Sequence, residues 1–188
     1  MNRPLPHIDK TWTLFLDRDG VLNRKIDDDY VRNWSQFEWL PGVLDALTYF
    51  TERFGRIIIV TNQRGVGRGL MTAEDLNLIH QNLLEDVSRH QGSISGVYYC
   101  ADVSDEGSTH RKPQPGMAYD AQRDFPEIDF SKSIIAGDSS SDMAFGKSVG
   151  MFTVLIGKHH KPHADILFPS LQALAEALRE ERPDLTSI

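Results

Sequence analysis

The run Arg56-Ile57-Ile58-Ile59-Val60 constrains the fold of this chain more than any other stretch. It is β-branched and apolar without the polar alternation of a half-wet strand, so it predicts a strand covered on both faces. Strands of that kind belong to parallel sheets with helices on either side. Leu14-Phe15-Leu16, Gly96-Val97-Tyr98-Tyr99-Cys100, Ser133-Ile134-Ile135-Ala136 and Met151 to Ile156 supply further strands, with a weaker one at Ile166-Leu167-Phe168. Helical patterns lie between them. Pro41-Gly42 starts one, with Val43, Leu44, Leu47, Phe50 and Phe54 at helical spacing before Gly55. Thr72 caps a second, with Asp75 placed for a capping box and Leu76, Ile79, Leu83 and Val87 as its buried stripe. Helices are also expected from about Met117 to Phe125, in a short segment closing at Gly150, and from Leu171 to about Arg179 behind Ser170. Alternating strand and helix give the α/β class, here a Rossmann-like, doubly wound parallel sheet with helices on both faces.

A length of 188 residues suits one domain over residues 1–188, and no repeat or linker divides it. The formal charge of −7 argues against a nucleic-acid binder, so anionic ligands need local positive groups. Cys100 stands alone, which excludes an internal disulfide and agrees with a reducing compartment. Met1-Asn2-Arg3-Pro4-Leu5-Pro6-His7 lacks the apolar core of a signal peptide, and no run reaches membrane-spanning length. The expectation is a cytoplasmic protein without a membrane partner, and a monomer.

In a doubly wound sheet the ligand site lies beyond the carboxyl ends of the strands, where strand order reverses. Polar clusters follow the predicted strands directly: Asp17-Arg18-Asp19-Gly20, Thr61-Asn62, and Asp138 with Asp142, while Arg111-Lys112 ends a longer loop. Continued strand alternation would point Asp17 and Asp19 to one place and Arg18 elsewhere. Crowded carboxylates need a counter-charge or a retained proton. Acids, a hydroxyl, an amide and two cations together form the inventory of phosphoryl transfer assisted by a hard divalent cation such as Mg²⁺. Arg64, Arg68 and Arg111 are candidates to bind a second anionic group on the substrate, beside Asn62.

Four ordered motifs, Asp17-Arg18-Asp19-Gly20-Val21-Leu22-Asn23, Thr61-Asn62-Gln63, Arg111-Lys112-Pro113 and Gly137-Asp138 with Asp142, resemble those of the haloacid dehalogenase-like (HAD) phosphatases. The likeness covers about residues 12 to 157 and is nearest to the subgroup with histidinol-phosphatase and D-glycero-D-manno-heptose 1,7-bisphosphate phosphatase. The resemblance implies that Asp17 is the nucleophile and a Mg²⁺ ligand. It implies that Asp19 is the acid and base, holding a proton near neutral pH, with its backbone carbonyl on the metal. Thr61 and Lys112 would hold the phosphoryl group, and Asp138 would complete the metal site. Asp142 is placed either on the metal or in the first turn of the next helix as a dipole partner. The substrate so implied is a small phosphate ester, with heptose 1,7-bisphosphate ahead of histidinol phosphate and a polynucleotide 3′-phosphate.

The chain departs from that subgroup where a structural zinc usually sits. Only Cys100 and His110 are zinc-type donors, with Asp102 and Ser108 in the remaining places, so no structural zinc is expected. The gaps between motifs hold no room for a cap domain, which leaves selectivity to loops at about residues 24–34, 64–70 and 101–111. A signalling receiver domain also combines Asp, Thr and Lys on a parallel sheet, but its acceptor follows the third strand, and here Cys100-Ala101-Asp102 is found there. A silent phosphate-binding module would have less use for both Asp17 and Asp19. His159 and His160, with His163, are expected in a solvated loop.

Overall fold

The computed structural model describes residues 3–104, 106–157 and 163–180; His159 and His160 lie outside them. The chain begins with β1 (Thr13–Leu16), α1 (Val43–Arg53) and β2 (Arg56–Asn62). A single turn, α2 (Arg64–Gly67), precedes α3 (Ala73–Arg89) and β3 (Gly96–Cys100). Next come α4 (Gly116–Asp124), β4 (Ser133–Gly137), α5 (Ser140–Val149), β5 (Phe152–Ile156), β6 (Ile166–Phe168) and α6 (Leu171–Glu180). The six strands form one sheet in the order β3-β2-β1-β4-β5-β6, and every pairing is parallel.

Side-chain alternation explains how one sheet serves two cores. Leu14, Leu16, Ile57, Ile59, Ile134 and Ala136 face α1, α6 and the inner side of α3. Phe15, Ile58, Val60 and Ile135 face the other way, onto Met117, Ala118 and Ala121 of α4 and Phe145 of α5. Both faces of β1, β2 and β4 are therefore dry, as the unalternating β-branched runs require. The capping box expected at Thr72 forms, with Asp75 N–H donating to Thr72 Oγ1 and Thr72 N–H donating to Asp75. Two local expectations change. Residues 64–67 form a helical turn where the glycines suggested open loop, and β2 runs on through Thr61 and Asn62. Among the described residues no helix is long and apolar enough to cross a membrane.

Strand order reverses beside β1, whose two neighbours are β2 and β4. The carboxyl ends of these three strands meet there, and the functional candidates follow them.

Candidate active site

Asp17 continues the ladder by one residue, its N–H donating to Ala136 O at 3.0 Å, so its carboxylate is fixed at the end of β4. The chain then folds back. Leu22 N–H reaches Arg18 O at 2.8 Å and Gly20 N–H reaches Asn23 O at 2.8 Å. Gly20 has φ +94°, and a Cβ there would run into the Asp138 carboxylate, so both conformation and space require glycine. The turn thus lies directly against the residue that follows β4.

Lys112 is the centre of the cluster. Its side chain is buried, and Nζ lies 2.7 Å from Asp17 Oδ1, 2.6 Å from Asp142 Oδ1 and 2.7 Å from Val60 O. Its position is set by Asn62, whose Oδ1 accepts from Lys112 N–H at 3.0 Å and whose Nδ2 donates to Lys112 O at 3.1 Å. Asp142 does two things at once. One oxygen faces Lys112, and the other accepts from Ser139 N–H (3.0 Å) and Ser139 Oγ–H (2.5 Å) in the capping box of α5.

Asp17, Asp138 and Asp142 each offer an oxygen, and these oxygens lie within 4.8 Å of one another. An all-carboxylate set fits a hard divalent cation such as Mg²⁺, which takes few protein oxygens and keeps several waters. Asp142 has the least to give, since both its oxygens are engaged. Burial, with Asp142 and Asp138 adding repulsion, pushes the Asp17 carboxyl up to about 7 against the pull of Lys112. Burial also works against the charge on Lys112, but Asp142 and Asp17 outweigh it and hold the ammonium above its ordinary value. A further cation, Lys25, sits 3.2 Å from Asp138 Oδ2.

Asp19 is in a different setting. Its carboxylate is not part of the acidic cluster; it accepts from Arg18 Nη2 at both oxygens (3.0 and 2.9 Å), from Asn23 Nδ2 at 2.9 Å and from Gln63 Nε2 at 2.8 Å. Burial raises the Asp19 carboxyl, but the Arg18 guanidinium and the hydrogen bonds from Asn23, Gln63 and Arg18 outweigh it and hold the group below the usual carboxylate range. The expectation of a proton kept near neutral pH is corrected: Arg18 does not point elsewhere. The ladder ends at Asp17 and the chain folds back at Arg18, so alternation no longer governs residues 18 and 19, and the guanidinium turns onto its neighbour. As a metal residue Asp19 has only its backbone carbonyl to offer.

A cavity of about 450 Å³ opens over the cluster, lined by Asp17, Asp19, Thr61, Lys112 and Asp138, with Arg64, Arg68 and Arg111 also on its wall. Arg68 Nη1 donates to Tyr30 Oη at 3.2 Å, and Arg111 Nη1 to Asp102 O at 3.3 Å. Asn62 also lines the cavity, and its side-chain amide holds the Lys112 backbone. Thr61 is buried, and its Oγ1 accepts from Gln63 Nε2 at 2.9 Å. In the loop before Lys112, Ser108 Oγ accepts from Arg111 N–H at 2.9 Å and lies 3.8 Å from Cys100 Sγ. His110 turns away from Cys100: Nε2 lies 3.0 Å from Asp120 Oδ2, and Nδ1 meets Thr109 Oγ1.

Sequence reasoning passed over Arg18, Lys25 and His80. Arg18 had a readable signal, because an arginine wedged between an apolar strand and a closing glycine must be buried, and a buried guanidinium must be paired. His80 also had one, lying four residues after Leu76 and three before Leu83 on the buried stripe of α3.

A doubly wound parallel sheet carrying clustered carboxylates and a buried lysine at its switch point is the layout of a phosphoryl-transfer domain. The family model described as polynucleotide kinase 3 phosphatase matches residues 13–170. The D-glycero-alpha-D-manno-heptose-1,7-bisphosphate 7-phosphatase of Mycobacterium tuberculosis (strain ATCC 25618 / H37Rv) is 44% identical over 138 residues, 73% of each chain. Its namesake from Campylobacter jejuni is 33% identical over 174 residues, 92% of this chain and 98% of that one. Among solved structures, D,D-heptose 1,7-bisphosphate phosphatase from B. bronchiseptica, complexed with magnesium and phosphate, superposes with a TM-score of 0.81 at 28% identity, covering 91% of this chain and 99% of that one. The chain belongs to the HAD phosphatases, in the family of that model.

Proposed function

We propose that this chain is a Mg²⁺-dependent phosphatase that hydrolyses heptose 1,7-bisphosphate, releasing the 7-phosphate through an aspartyl-phosphate on Asp17. The observation that carries the reading is the shared lysine: Lys112 Nζ within 2.7 Å of both Asp17 and Asp142, at the floor of a cavity of about 450 Å³. A carboxylate nucleophile repels a phosphate dianion, and a buried ammonium beside it lowers that barrier. Asp17, Asp138 and Asp142 would hold Mg²⁺, which would supply further charge neutralisation.

Asp17 attacks phosphorus through its oxygen facing the cavity while Lys112 steadies the other. Thr61 binds a phosphoryl oxygen, and Lys112, whose Nζ lies against Asp17, Asp142 and Val60 O, neutralises the charge of the group. Asp19 stands ionised in the resting protein; with the substrate bound it takes up a proton and passes it to the leaving oxygen, and the carboxylate so formed takes a proton from the water that hydrolyses the aspartyl-phosphate, so the proton is returned in each turnover. Arg64, Arg68 and Arg111 along the wall are suited to a second phosphate on the substrate, and the relatives' names favour a heptose bisphosphate as its carrier.

The test is a panel of phosphate esters with Mg²⁺, wild type beside Asp17→Asn. Heptose 1,7-bisphosphate is expected to exceed histidinol phosphate and a 3′-phosphorylated oligonucleotide in kcat/KM, and Asp17→Asn to lose at least about a thousandfold. Equal rates on all three would refute the substrate, and turnover surviving in Asp17→Asn would refute the mechanism.

A further inference from the structure

Behind Asp19 lies a buried assembly that reaches well beyond the four motifs. The Arg18 side chain is fully buried, and its guanidinium spans two elements. Nη2 donates to both Asp19 oxygens and, at 3.2 Å, to Gln63 Oε1, while Nη1 lies 3.2 Å from His80 Nε2 on α3. A guanidinium only donates, so His80 Nε2 accepts and its proton sits on Nδ1. Burial, and then Arg18 itself, push the His80 imidazole down to about 3, which keeps the acceptor available. His80 shares the buried side of α3 with Leu76, Ile79 and Leu83, so the acceptor is fixed by packing. Gln63 closes the other side, donating to Asp19 and to Thr61 Oγ1. Asp19 therefore receives four N–H···O contacts and cannot rotate, and what stays open is its side toward the cavity.

Burying a whole guanidinium is a poor route to stability, because desolvation cancels most of what the pairing returns. Its geometric effect is plain: the fork fixes the plane of one carboxylate. We propose that Arg18, braced from behind by His80, is the positioning residue that aims Asp19 for hydrolysis of the aspartyl-phosphate. This rests on the phosphatase reading above. In that step water attacks phosphorus, the bond from phosphorus to the Asp17 oxygen breaks, and the water's proton passes to the Asp19 carboxylate. Inorganic phosphate leaves and Asp17 is regenerated. His80 does not line the cavity, so it acts on this step through Arg18.

The experiment uses p-nitrophenyl phosphate with Mg²⁺, because p-nitrophenolate departs without needing a proton and the first half of the reaction is spared. His80→Met keeps volume and removes the acceptor; His80→Gln keeps an acceptor. For His80→Met, kcat is expected to fall about tenfold with kcat/KM held within about twofold, and the phosphorylated fraction in acid-quenched samples to rise several-fold by intact mass. His80→Gln should recover most of the loss. A fall of kcat/KM as large as that of kcat without added phosphoenzyme, or no change in either, would overturn the positioning role and leave the phosphatase standing. A wild type that neither releases p-nitrophenol nor becomes phosphorylated would overturn both.

Discussion

Replacing Lys112 with Met, a residue of similar length and no charge, isolates the ammonium's contribution. Asp17 and Asp142 present oxygens within 4.8 Å of each other, and Lys112 is the buried cation lying against both. At an effective dielectric of about 20, two unit charges at that separation repel by about 3 kcal/mol. Removing one member of a buried ionic cluster costs about 3–5 kcal/mol, in line with that repulsion plus the lost contact to Val60 O. For a chain of this size that is a fall in Tm of roughly 10 °C. Thermal unfolding followed by circular dichroism, with EDTA at about pH 8.5, should show the full loss. At about pH 5.5 the loss should shrink, because Asp17, whose carboxyl is pushed up to about 7, is then protonated and its repulsion with Asp142 is gone. Saturating Mg²⁺ should raise the variant's Tm more than the wild type's, since added positive charge now answers a larger deficit. Equal loss at both pH values, or a loss below about 1 kcal/mol, would refute the view that Lys112 is there to balance charge.

Other outcomes follow from the same cluster and its surroundings. In metal-free protein Asp17 has a folded pKa of about 7, above its unfolded 3.8, so the folded state holds the extra proton between those values. Stability from this group is therefore greatest at low pH and is lost as pH rises toward 7. The Tm in EDTA should fall from about pH 5 to about pH 8, and Asp17→Asn should flatten that slope. Elemental analysis should find no stoichiometric zinc, because Ser108 and Cys100 are drawn to each other and His110 is turned to Asp120; one zinc per chain would contradict this reading of the loop.

The fold was legible because its signals were local and redundant. Unalternating runs such as Ile57 to Val60 declared two covered faces, and Thr72, Asp75 and Ser170 marked helix starts through hydrogen bonds made within three residues. The site was legible as a set of strand-end residues, since parallel topology alone carries Asp17, Thr61 and Asp138 to one rim. What could not be read was the direction of side chains once regular backbone ends. Arg18 turns in because the ladder stops at Asp17, and Asn62 serves the Lys112 backbone through a contact fifty residues away in sequence. Spacing alone does not choose between the metal and the helix start for Asp142; in the structure it caps α5 and meets Lys112 because a carboxylate has two oxygens and α5 starts beside Lys112. The state of the Asp19 carboxyl is hidden for the same reason as the direction of Arg18: it depends on Arg18, Asn23 and Gln63 facing the group, which spacing does not reveal.

The clamp from Asn62 to the Lys112 backbone has a bearing on how new selectivities can arise in this scaffold. The lysine that lies against Asp17 and the loop that brings Arg111 to the cavity are one continuous piece of chain, pinned to β2 by the Asn62 amide. Residues 101–111 can be exchanged or lengthened without dragging the ammonium off Asp17 as long as that pin stays. Lose it, and a change meant only for substrate choice becomes a change in the chemistry.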